Sequence, residues 1–307
     1  MLRVNKPITI LDAPSNLGLR PPARHTAPGV ARLASALRAH DLLPRLHATD
    51  AGGVRPPPYQ FDPPDPHIGV RNATGIRRFT VELAAHLQPL LDTGTFPLVL
   101  GGDCSILLGI MLALRQRGRY GLCVLDGHTD FLSPATSQTA GAAGMDVALV
   151  TGYGPALLTR YDAFHPLVQE TDVVVCGYRD VVDPATYSGR AIFATHIHCI
   201  DLPTIRQQGI VSTANVMLPL LTNSTLAGFW VHLDADVLQD EWMPAVDSRQ
   251  PDGFTAAELI TLLQQLLATE SVVGMDITIF DPSLDPDGQI AAAFTSAIMD
   301  AFTADDG

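Results

Sequence analysis

Two stretches of this sequence end an apolar run in acids at alternate positions. In the first, Leu122-Cys123-Val124-Leu125 runs into Asp126, His128 and Asp130; in the second, Phe229-Trp230-Val231-His232-Leu233 runs into Asp234 and Asp236. Side chains of an extended chain alternate between two sides, so each stretch delivers its ligand-type residues together. Asp and Gly also suit ordinary strand-to-loop turns, and one such ending decides nothing by itself. Two of them supply five metal-compatible side chains, and carboxylates crowded at close range need cations to offset their repulsion. The pair points to a binuclear metal site. Three other histidines are expected to be structural. His232 is placed on the strand face opposite the acids, as a packed core residue; His196 and His198 alternate along a strand without carboxylates close by in sequence.

The elements that must position these residues alternate in type. Apolar runs of strand length occur at Ile8–Leu11, Phe96–Leu100, Leu122–Leu125, Val173–Cys176, Ile197–Ile200, Phe229–Leu233 and Val272–Ile279, with a further strand expected at Leu43–His47. Helical spacing is read over Ala31–His40, Ile76–Leu91, Ile106–Arg115, Ala256–Leu267 and Gln289–Phe302. Continuous apolar strands between helices mean a parallel sheet covered on both faces. Such sheets place their chemistry at the carboxyl ends of the strands, where both acidic clusters fall. Residues 51–66 are crowded with Pro, Gly and Asp, and are expected to be an irregular surface excursion inside one catalytic domain spanning residues 1–307.

Composition limits the partners. Hydrophobic residues make up 47% of the chain and charged ones 17%, enough for a large core, and the net charge of −13 disfavours nucleic acid and anionic membranes. A small-molecule substrate is expected, and no membrane span or leader segment is read from the sequence. Cys104, Cys123, Cys176 and Cys199 are widely spaced, three of them in apolar runs, which suggests reduced thiols and a cytoplasmic enzyme.

The motifs, taken in order, resemble the arginase/agmatinase (ureohydrolase) family. Gly101-Gly102-Asp103-Cys104-Ser105, Asp126-Gly127-His128-Thr129-Asp130 and Asp234-Ala235-Asp236 stand where that family has GGDHS, DAHxD and DxD. Gly177-Tyr178-Arg179-Asp180 and Gly274-Met275-Asp276-Ile277 resemble two further strand ends of the family. The resemblance implies a three-layer α/β/α fold with an eight-stranded parallel sheet, two divalent metals, usually manganese, and a homo-oligomer, trimer or hexamer. It implies one metal at Cys104, Asp126, Asp130 and Asp234, and another at Asp126, His128, Asp234 and Asp236. A metal-bridged hydroxide would attack a guanidino carbon, with Asp130 relaying the proton.

Three departures bear on activity. Cys104 replaces the family's first histidine ligand. It reads either as a small buried residue that weakens the first metal, or as a softer ligand that tilts preference toward zinc or iron. Ala143 stands where a family histidine shuttles protons, with Asp146 a nearby candidate acid, and Ile279 stands where a family glutamate pairs with the guanidinium. Asp247 and Arg249, in the loop after the second acidic pair, are candidate substrate contacts. These readings converge on a metal-dependent hydrolase of linear amidine or guanidino C–N bonds, distinct from plain arginase. The alternatives are a deacetylase-like amidohydrolase and a metal-depleted binding or assembly member.

Overall fold

The computed structural model describes residues 2–180 and 190–303. Eight strands form one sheet in which every pairing is parallel. In chain order they are β1 (Ile8–Asp12), β2 (Thr49–Gly53), β3 (Phe96–Leu100), β4 (Gly121–Leu125), β5 (Val173–Cys176), β6 (His198–Ile200), β7 (Phe229–Asp234) and β8 (Val272–Thr278). Their order across the sheet is β2-β1-β3-β8-β7-β4-β5-β6. The last two strands of the chain are thus inserted between β3 and β4.

Successive side chains feed two apolar layers. Leu98, Leu100, Cys123, Leu125, Val231 and Leu233 pack against helices that include Ala256–Leu267 and Gln289–Phe302. Val99, Leu122, Val124 and Trp230 pack against Ala73–Asp92 and Leu107–Arg115. The eight-stranded α/β/α architecture expected from the sequence is the one observed.

Local chemistry explains where the sequence was clear. Thr255 caps Ala256–Leu267 by accepting from the Glu258 backbone, while Glu258 returns a bond to Thr255, a reciprocal capping box. It also explains the errors. Leu43–His47 is no strand: Leu42–Arg45 is a helical turn that buries Leu42 and Leu46 on one side. The actual strand, Thr49–Gly53, enters the segment read as wholly irregular. It lies at the sheet edge, mostly exposed, and is held by backbone pairing to β1, so no apolar alternation announced it. Ala31–His40 divides into a 3₁₀ turn at Gly29–Arg32 and a helix at Leu33–Arg38. Two helices, Leu202–Gln208 and Ile210–Leu221, went unread. No helix of the described residues is long and apolar enough to cross a membrane.

Candidate metal centre

The carboxyl ends of β3, β8, β7 and β4 meet where the strand order breaks, the usual seat of chemistry in open α/β sheets. After β3 the chain turns through Gly101 and Gly102. A Cβ on Gly102 would lie 1.8 Å from the Ser15 carbonyl oxygen, so only glycine lets this turn press against the loop after β1. Asp103 then caps the next helical turn. Its Oδ1 accepts from the Ser105 backbone at 2.8 Å and its Oδ2 from Ser15 Oγ at 2.8 Å, which fixes Cys104 at the cluster's edge.

After β4, the Asp126 backbone N–H donates to Cys176 at 3.2 Å, and its Oδ1 accepts from the His128 N–H at 2.6 Å. Asp130 adopts the left-handed conformation, φ 43°, which turns the chain after the third ligand-type residue. After β7, Asp234 Oδ1 accepts from the Asp236 N–H at 2.7 Å, and Asp236 Oδ1 accepts from the Gly127 N–H at 3.0 Å. Each acidic turn therefore braces the other. Arg179 secures the second turn from outside, donating through Nη2 to the carbonyl oxygen of Asp236 at 2.9 Å and through Nε to that of Pro251 at 3.1 Å.

The result is a buried acidic cluster. Donor atoms of Asp126, His128 and Asp130 lie within 4.8 Å of one another, as do those of Asp126, Asp234 and Asp236. Asp126 joins both sets, and its Oδ2 is buried without a hydrogen-bond partner. Burial and mutual repulsion hold Asp126 above its ordinary value and Asp130 and Asp234 well above theirs. Burial acts the same way on Asp236, but the His128 ring, 3.0 Å from its Oδ2, and the Gly127 N–H outweigh it and leave Asp236 lowered. Hard oxygen donors with an orphaned buried carboxylate oxygen fit divalent cations.

Cys104 adjoins this cluster, with its Sγ 3.0 Å from Asp234 Oδ2. Burial, then the charge of Asp234, raises its thiol well above the usual range. Its donor atom groups with those of Asp146 and His232. His232 and Asp234 are two residues apart on one strand, so they share a face; His232 is buried, as expected, but not opposite the acids. Burial alone would lower its pKa, but Asp276, 2.6 Å from Nδ1, and Asp146 raise it to about 9.

Above the acids opens a cavity of about 150 Å³. His128, Asp130, Asp234 and Asp236 line it, and Asp247, Ala143 and Ile279 contribute to its walls. Asp247 lines the cavity, and the desolvation of its carboxyl, followed by the charge of Asp236, pushes its pKa up to about 6. Arg249 does not reach it: the guanidinium is exposed and makes a two-point pair with Asp240, at 2.6 and 2.8 Å. Asp146 lies too deep to meet a substrate, fully buried beside His232. His196 is exposed, pairs with Glu170 and belongs to none of the donor groups found among the described residues. Arg20 and Ser248 line the cavity from loops that carry no motif, and Asp180, the end of the Gly177-Tyr178-Arg179-Asp180 motif, lines it as well.

Ile279 is strained. It sits at φ 71°, a region β-branched residues avoid at a cost of about 1–3 kcal/mol, and is held by donation of its N–H to Gly102 at 2.7 Å. That strain keeps an apolar side chain at the cavity wall.

The arginase family model matches residues 7–304. The chain belongs to the arginase family. An arginase of Staphylococcus aureus (strain MRSA252) is 26% identical over 301 residues, covering 95% of this chain and 96% of that protein. The arginase of Bacillus caldovelox superposes with a TM-score of 0.88 at 24% identity, over 98% of this chain and all of that one. The fold also extends to the proclavaminate amidino hydrolase of Streptomyces clavuligerus, with a TM-score of 0.68, 17% identity and coverage of 97% and 91%. Arginase-family ureohydrolases act on C–N bonds of linear amidines, and this chain is a metal-dependent hydrolase of that class.

Proposed function

We propose that this arginase-family protein hydrolyses a guanidino or amidino compound other than arginine, using two divalent cations held by Asp126, His128, Asp130, Asp234 and Asp236. The observation that carries the reading is the arrangement of the cavity floor: four of those five side chains line it, and Asp126, whose donor atom groups with theirs, is buried with an unpartnered oxygen. Manganese suits the oxygen-rich donor set. Bound there, the cations supply Lewis acidity and make water acidic enough to serve as a nucleophile near neutral pH.

The chain's own residues divide the remaining work. Asp130, buried at the floor, holds and relays the proton of the attacking water. His128, kept in place through Nδ1 by Asp236, orients the floor. Ala143 leaves no imidazole on that wall, and His128 is the one histidine among the described lining residues. Asp247, with a pKa of about 6, is the wall residue suited to protonating the leaving amine. Ile279 presents no charge to a guanidinium, whereas Arg20, exposed at the mouth, suits a carboxylate on the far end of the substrate. A guanidino acid lacking arginine's full cationic recognition fits these walls. The protein is proposed to act in the cytoplasm as a homo-oligomer, in keeping with its family.

A release assay for urea and amine decides the matter. Guanidino acids, guanidino amines, ureido compounds and amides would each be offered with manganese, zinc or iron. Turnover of a guanidino acid above arginine and agmatine is expected. Amide turnover alone would overturn the reading in favour of deacetylase-like chemistry.

A further inference from the structure

Behind the carboxylate cluster, three buried side chains converge without satisfying one another. Asp146 Oδ1 accepts from the Val147 backbone, but its Oδ2 has no hydrogen-bond partner. His232 Nε2 has none either, and the two atoms face each other at 3.6 Å. Both residues are fully buried. The third is Cys104, whose Sγ lies within 4.8 Å of a ring nitrogen of His232 and a carboxylate oxygen of Asp146.

Two orphaned polar atoms in a buried interior are costly, at about 1–3 kcal/mol each, unless something joins them. At 3.6 Å they are too far apart for a good hydrogen bond. The separation suits two donors on a common ion, since ligands about 2.0–2.3 Å from zinc at tetrahedral angles stand roughly 3.3–3.8 Å apart. The surroundings are prepared in the same sense. His232 Nδ1 is engaged by Asp276 Oδ2 at 2.6 Å, and Asp276 Oδ1 accepts from Trp230 Nε1 at 2.6 Å. Gly274 leaves room for this indole, since a Cβ there would lie 2.1 Å from the ring. A carboxylate on one imidazole nitrogen, itself locked in place, fixes the ring and turns the other nitrogen toward a metal.

We propose that Cys104, Asp146 and His232 form a position for a thiophilic divalent cation such as zinc, beside the Asp126–Asp234 cluster and distinct from it. A thiolate and a carboxylate neutralise a dication among fully buried side chains, and sulfur with imidazole nitrogen selects zinc over manganese. Loading releases the Cys104 proton, and no bond other than S–H is broken. Three protein donors are the number found where a zinc ion keeps one position open. Cys104 then serves its own ion, and the cluster keeps its oxygen donors. The position requires nothing of the guanidino reading.

Cobalt and zinc loading of the intact protein test this directly. With cobalt, a thiolate-to-metal charge-transfer absorption is expected, at one thiolate-bound ion per chain. Zinc-edge X-ray absorption of the unaltered protein should show one sulfur neighbour at about 2.3 Å together with nitrogen at about 2.0–2.1 Å. Cys104→Ser should abolish the cobalt band. His232→Gln and Asp146→Asn should weaken cobalt binding by at least about 100-fold, and Asp276→Asn by about 10–100-fold. Asp126→Asn should leave the band in place. Loss of the band in Asp126→Asn with its retention in His232→Gln would assign Cys104 to the carboxylate pair and overturn the proposal. A zinc spectrum of the unaltered protein lacking sulfur would overturn it without any variant having to fold. Absence of urea release would leave the band untouched, so the two readings fail separately.

Discussion

The floor and the walls of the cavity follow different rules. On the floor, the two acidic turns that carry Asp126, His128, Asp234 and Asp236 are tied by backbone-to-carboxylate bonds, and Asp130 closes the same cluster. On the walls stand Ala143, the strained Ile279 and Asp247. Altering a floor residue removes a charge from a coupled cluster, whereas altering a wall residue changes only what the cavity greets. On the proposed reading, the floor carries the chemistry and the walls set substrate preference.

The sharpest way to break that contrast is at the floor. Asp126→Ala and Asp234→Ala are each expected to lose bound metal and to reduce turnover to background, measured by metal analysis and amine release; full activity in either would end the binuclear reading. Asp247→Asn comes next. It should lower turnover by about 100-fold and remove the pH limb near 6, leaving substrate affinity little changed. An unaltered pH profile would exclude Asp247 as the proton donor. Ile279→Glu should raise turnover of arginine or agmatine by about 10–100-fold, the worth of one charge-assisted pairing, if the wall alone denies it.

A smaller effect separates floor from fold. In metal-free protein, His232, raised from 6.5 to about 9, contributes stability that is fully present below 6.5 and lost as pH climbs through about 9. Asp130, Asp146 and Asp234, raised chiefly by burial, bind more protons folded than unfolded and slope the same way. Asp236, lowered, acts in the opposite sense, but below the ordinary carboxylate range. The metal-free melting temperature should therefore fall between pH 6.5 and 9, and saturating metal should flatten the slope. A rise would contradict the assigned directions. Smallest of all, Arg249→Ala should leave turnover unchanged, because its guanidinium is engaged by Asp240 outside the cavity.

The sequence disclosed the floor and most of the sheet because both rest on patterns local to a strand. Phe96–Leu100 and Val173–Cys176 were read to the residue, since strands buried on both faces are apolar at every position. Thr49–Gly53 was invisible because its place depends on backbone pairing at an edge. His232 was assigned to the wrong face although its spacing of two from Asp234 held the answer. Arg20 and Ser248 left no local trace, for they reach the cavity only through loops that the fold brings there, whereas Asp180 belongs to the motif that follows β5. The charge of Arg249 suggests a substrate contact in the sequence, but Asp240 engages that charge in the fold.

The strand order has a consequence for how the molecule comes into being. β7 and β8 fill the gap between β3 and β4, so the first two-thirds of the chain leaves a ribosome with two raw sheet edges and no centre. Asp126 meets Asp234 only when the closing strands slide in. Newly made protein thus avoids gathering its repelling acids until the step that also builds a home for the ions, and cations in the surrounding medium should hasten that final insertion.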